Sequence, residues 1–101
     1  MSAGYLLAQC VVTDREAIKA YSAALPPIYA KYGGEPLALV PTPLVEVCEG
    51  DAENRTIVLV RFPSKAAAWE FWRSPEYAAA KKLREGAGSF FVMVLEGLPD
   101  T

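Results

Sequence analysis

The chain contains no histidine and only two cysteines. That removes the commonest general base, the usual haem ligand and most zinc constellations. Cys10 and Cys48 each stand alone inside an apolar run and read as small buried hydrophobes. No metal site and no cofactor is expected. Ser64 and Ser74 have no imidazole to activate them and stand where helix caps belong. Three polar residues interrupt apolar segments: Gln9, Glu46 and Arg61. A buried charge is costly unless paired. Glu46 and Arg61 therefore read in two ways. They are an ion pair across a hairpin, or they are weak catalytic candidates, a general base and an anchor for a carboxylate or enolate. A second group comprises Tyr21, Tyr32, Trp72 and Tyr77, aromatics that are core at helical spacing yet carry polar tips which need partners when buried. Arg84 follows Lys81 and Lys82 at a helix end, where cations favour the helix dipole. It can also close over an anionic ligand. These five residues form the candidate ligand-binding set.

The elements that must position these groups follow from pattern. Residues 4–12 are apolar and β-branched, a first strand. Thr13 and Glu16 fit a capping box that opens a helix, along which Ile18, Tyr21, Leu25, Ile28 and Tyr32 recur at helical spacing. Pro26 and Pro27 predict a kink or break near Ala24, with a second short segment starting at Pro26. Gly33 and Gly34 stop it. Residues 35–40 and 44–49 are extended on either side of Pro41-Thr42-Pro43, which marks a bulge or an edge. After a polar turn at 50–54, residues 56–62 form a strand that pairs with them as a hairpin. Ser64 caps a second helix, and Ser74-Pro75-Glu76 starts another that carries Tyr77 to about Arg84. Residues 89–96 are the fourth strand, and the tail from Gly97 is expected to fray. The order is βαββαβ: one α+β domain spanning residues 1–101, a sandwich of helices on an antiparallel four-stranded sheet.

The strands do not alternate apolar and polar residues as a sheet with one wet face does. Phe91, Met93 and Leu95 point one way while Phe90, Val92 and Val94 point the other. Right-handed crossovers put both helical layers on one face. The other face is then an apolar patch that soluble monomers rarely expose. Pairing sheet to sheet across a two-fold axis covers it, so the expected partner is a second copy of the chain.

The formal net charge of −2 argues against nucleic acid, which needs a concentrated positive face. No apolar run reaches the ~20 residues of a membrane-spanning helix. The apolar stretch 5–12 is short and not preceded by basic residues, so a cytoplasmic protein is expected.

Tyr-Gly-Gly at 32–34, Val-Glu-Val-Cys-Glu-Gly-Asp at 45–51, Phe-Pro-Ser at 62–64 and Ser-Pro-Glu-Tyr at 74–77 occur in an order and spacing that resembles the uncharacterised family known as domain of unknown function 1330. The likeness covers nearly the whole chain. It departs from the family at Pro41-Thr42-Pro43, where a Gly-Gly turn is common, and at Phe71-Trp72, commonly Trp-Tyr. The family is similar in fold to the dimeric α/β-barrel superfamily, whose protomers are ferredoxin-like. The resemblance implies that architecture but no settled activity. Superfamily relatives include cofactor-free monooxygenases, isomerase-like and dehalogenase-like enzymes, haem proteins and stress-response proteins, an analogy at the level of fold. Three functions stay open. The first is binding of a small aromatic or carboxylate ligand in a helix–sheet cavity. The second is cofactor-free catalysis of monooxygenase or isomerase type. The third is a structural interaction module.

Overall fold

The structure, a computed structural model, describes residues 2–51 and 55–99. Four strands form one antiparallel sheet in the order β2-β3-β1-β4. They are β1 (Ser2–Val12), β2 (Glu35–Val40), β3 (Thr56–Phe62) and β4 (Gly88–Pro99). Helices α1 (Arg15–Tyr32), α2 (Lys65–Trp72) and α3 (Pro75–Lys82) connect them. This is the βαββαβ order that the sequence predicts.

Several local expectations are corrected. The cap of α1 is Asp14 rather than Thr13: its Oδ1 accepts from the amides of Glu16 and Ala17, each at 3.1 Å. The carboxylate is one residue closer to the first free amides, and Thr13 donates its own amide elsewhere. The helix also runs unbroken through Pro26 and Pro27. Prolines at these positions free the carbonyls of Ser22 and Ala23. Both residues are exposed, so water can satisfy them. Leu25, Ile28 and Tyr29 are buried against the sheet and hold the segment in line. Gly33 ends the helix in the left-handed conformation, φ 77°, as a glycine stop should.

The expected strand at 44–49 does not form. Thr42–Leu44 makes a single 3-10 turn, and the residues that follow leave the sheet. Pro41 precedes that turn and Pro43 lies within it, and neither has an amide to give a ladder. β3 pairs instead with β2, with Glu35 opposite Arg61 and Val40 opposite Ile57. Part of the polar turn at 50–54 lies outside the described residues. β4 extends to Pro99, paired with Ser2, so the tail is strand as far as the described residues go. Cys10 is buried but Cys48 is exposed in the segment after the turn.

The sheet has two different faces. On one, Leu6 lies between Val60 and Val94, and Ala8 between Val58 and Val92. The helices cover this side. On the other, Leu7 lies between Leu59 and Met93, and Gln9 between Ile57 and Phe91. No element covers these residues among those described, and Phe91 is 60% exposed.

Phe71 of α2 is fully buried at the centre of the covered side. Its ring lies 5.1 Å from Tyr29, 5.3 Å from Phe62 and 4.9 Å from Tyr77. One side chain thus joins α1, β3 and α3. Phe71→Ala is expected to cost about 3–5 kcal/mol and to lower the melting temperature by more than ~10 °C. Thermal denaturation followed by circular dichroism checks this; a drop of only a few degrees would mean the helices dock independently of that ring.

Candidate functional site

A cavity of about 220 Å³ lies between α1, from Ile18 to Tyr29, and the sheet. Its origin is a difference in side-chain size along the covered face. Where Phe62 and Phe71 stand, the space is filled. Further along β1 the inward residues shrink to Ala8 and Cys10, while Ile18 and Tyr21 of α1 stand above them. Most of the wall is apolar; among its polar residues Tyr21, Tyr77 and Arg84 meet one another, while Ser22, Tyr29 and Thr56 line it as well.

Local structure aims each of these three. Ser74 is buried; its Oγ donates to the Phe71 carbonyl at 2.8 Å and accepts from the Tyr77 amide at 3.0 Å. It closes α2 and opens α3 in one step, turning Tyr77 inward beside Phe71. Tyr21 lies about two turns into α1 from the Asp14 cap. Arg84 sits in the turn that follows α3. That turn is closed by the Ala87 amide donating to the Arg84 carbonyl at 3.0 Å. The Ala87 carbonyl then accepts the amides of Thr13 at 2.7 Å and Asp14 at 3.1 Å. The start of α1 and the turn carrying Arg84 are therefore fastened together, which brings residues 21 and 84 side by side.

The hydroxyls of Tyr21 and Tyr77 are 2.9 Å apart. Arg84 Nη2 donates to Tyr77 Oη over a long 3.5 Å. The guanidinium carbon is 3.9 Å from the centre of the Phe90 ring and 5.4 Å from that of Tyr21. Arg84 is only 7% exposed, and its Nε is buried with no hydrogen-bond partner among the described residues. Burial pushes the Tyr21 phenol far above its ordinary range, helped by the neighbouring Tyr77 and opposed by Arg84. Burial likewise raises Tyr29 to about 12, and raises the Cys10 thiol against a smaller pull from Arg84. Tyr21 and the Cys10 thiol are thereby kept neutral at neutral pH. With Tyr77 Oη accepting from the guanidinium, the arrangement in which Tyr77 donates to Tyr21 leaves the Tyr21 proton for a cavity occupant. In that arrangement the site offers hydrogen-bond donors to an occupant.

The remaining candidates lie elsewhere. Trp72 packs on Tyr77 from outside the cavity, ring centres 4.9 Å apart, with the Lys81 ammonium 4.8 Å from its own ring centre. Tyr32 donates to Glu76 Oε1 at 3.0 Å beside the Lys31–Glu76 ion pair, a surface link between α1 and α3. The Glu76 carboxyl is held below its usual range, first by Lys31. Glu46 is exposed in the segment after the 3-10 turn, and Arg61 is exposed on β3 opposite Tyr5 and Glu35. The pair expected across a hairpin is not made, because the strand that would have carried Glu46 is absent. Gln9 instead accepts from Arg55 on the uncovered face. Phe90, whose ring takes the Arg84 guanidinium, was not singled out from sequence. Its alternation with Val92 and Val94 gives only a shared strand face, and the register places it opposite Cys10.

Solved structures share this fold. A protein of unknown function from Rhodopseudomonas palustris is 22% identical with a TM-score of 0.75, over 98% of this chain and 85% of that one. A Mycobacterium tuberculosis protein is 21% identical with a TM-score of 0.69, over 98% of each chain. A candidate antibiotic biosynthesis monooxygenase from Caulobacter crescentus CB15 is 15% identical with a TM-score of 0.62, over 97% of this chain and 92% of that one. At these identities the likeness is one of fold, the ferredoxin-like α+β sandwich. Among curated proteins no sequence match is found. Residues 3–98 match the family described as Domain of unknown function (DUF1330), and the chain belongs to that family.

Proposed function

We propose that the protein binds a small, mainly apolar molecule between α1 and the sheet, its oxygen-bearing end against Tyr21, Tyr77 and Arg84. The observation that carries this reading is the cavity itself, mainly apolar and lined by the connected donor group of Tyr21, Tyr77 and Arg84. Ligand sites characteristically combine apolar walls with a few convergent polar groups. Catalysis is the second reading, favoured by the fold shared with the candidate monooxygenase. It is the weaker one, because no carboxylate or imidazole among the described residues lines the cavity to take a proton. Filling the cavity at its floor tests the binding reading. 4-Nitrophenol and octanoate should raise the melting temperature of the wild type and leave Ala8→Leu unmoved. An equal rise in both proteins, or none in either, would contradict it.

The uncovered sheet face supports a second copy of the chain as partner. Its apolar residues are the kind of surface that sheet-to-sheet pairing removes from water. Two unpaired cysteines, one of them exposed, fit a reducing compartment and hence the cytoplasm. No helix of the described residues is long and apolar enough to cross a membrane. Light scattering at micromolar concentration should give twice the 11.0 kDa chain mass, and Phe91→Glu should reduce it to one. A wild-type monomer would mean that the face is stable in water unpaired.

A further inference from the structure

Arg84 presents a problem that the binding reading alone does not solve. Its side chain is buried in the wall of the cavity, and Nε has no partner among the described residues. The groups that face it are the phenols of Tyr21 from α1 and Tyr77 from α3, the Cys10 thiol from β1 and the Phe90 ring from β4. None is a carboxylate, and no ion pair to Arg84 is made among the described residues. Ring faces compensate a cation only in part, by about 0.5–2 kcal/mol. Burying a charge without its counter-charge costs more than that. The fold nevertheless holds the guanidinium in place from two directions, through the closed turn after α3 and through the Phe90 ring.

We propose that the cavity takes its ligand as an oxyanion, with Arg84 as the counter-charge. The inference rests on the cavity being a ligand site and adds the ligand's charge state and chemical class. One oxyanion satisfies Nε, pairs with the guanidinium and accepts a hydrogen bond from the Tyr21 hydroxyl. The rest of the wall is mainly apolar and holds no second charged residue among those described, so the ligand carries a single charge on an apolar body. A space of about 220 Å³ suits a body of a short chain or one ring. A carboxylate and a phenolate both meet this description. A neutral alcohol of the same shape leaves the cation unpaired. The only bond change is the transfer of the weak acid's O–H proton to solvent, after which its conjugate base binds without covalent change.

4-Nitrophenol reports its own ionisation, since the phenolate absorbs in the visible and the phenol does not. At a pH where most of the free dye is protonated, dye bound to the wild type should show the phenolate band. Its apparent pKa should fall by about one unit, a tenfold gain in the ionised form. Arg84→Met should abolish the shift, and Arg84→Lys should retain part of it. Octanoate should displace the dye at least tenfold more readily than octan-1-ol. A bound dye that stays protonated, or octanol competing as well as octanoate, overturns the inference while leaving the cavity reading intact. Binding of neither probe overturns the cavity reading and this inference with it. The wild-type spectrum and the competition stand even if Arg84→Met fails to fold.

Discussion

The covered side of this domain depends on one buried ring. Phe71 meets Tyr29 of α1, Phe62 of β3 and Tyr77 of α3 at ring distances of 4.9–5.3 Å. Aromatic pairs at such spacing add directional attraction to the burial of their area. Because these rings are concentrated towards the C-terminal half of α1, they fix the height at which the whole helix stands over the sheet. Nearer the start of α1 the inward residues of β1 shrink to Ala8 and Cys10. A rigid helix cannot sag to meet small residues, so the space stays open. The cavity follows from the position of the large residues.

The same geometry accounts for the site's chemistry. Tyr77 belongs to the aromatic cluster by its ring and to the cavity by its hydroxyl. Its partner Tyr21 and the cation Arg84 come from opposite ends of the fold, joined where the Ala87 carbonyl accepts the first amides before α1. The result is a set of donors in a low-dielectric wall. Such a set stabilises negative charge on an occupant and offers no base to create it.

Much of the fold could be read from sequence because it depends on local signals. Ser64, Ser74-Pro75 and Gly33 mark helix ends by their own stereochemistry, and the two-faced strands betray a sheet covered on one side only. The readings that failed depended on competition. Pro26 and Pro27 do lose two hydrogen bonds, but Leu25, Ile28 and Tyr29 on both sides of them are anchored in the core. The stretch after Pro43 looks extended, but it has no ladder to join once β2 has taken the edge of β3. Its loss removed Glu46 from the sheet and with it the expected partner of Arg61. For the site, Tyr21, Tyr77 and Arg84 were visible as residue types with polar tips. Their meeting was not, because it is set by the turn at 83–87 and by strand register. Phe90 and the small floor residues became legible only with that register in hand.

The central claim is that the buried Arg84 awaits an anion in the wall of an apolar cavity. A crystal structure of the protein grown with octanoate tests it most directly. The account predicts the alkyl chain over Ala8 and Cys10, with a carboxylate oxygen within hydrogen-bond distance of Arg84 Nε and the other oxygen near Tyr21 Oη. A carboxylate turned towards the far end of the cavity, or a chain that leaves the guanidinium unpartnered, would contradict it.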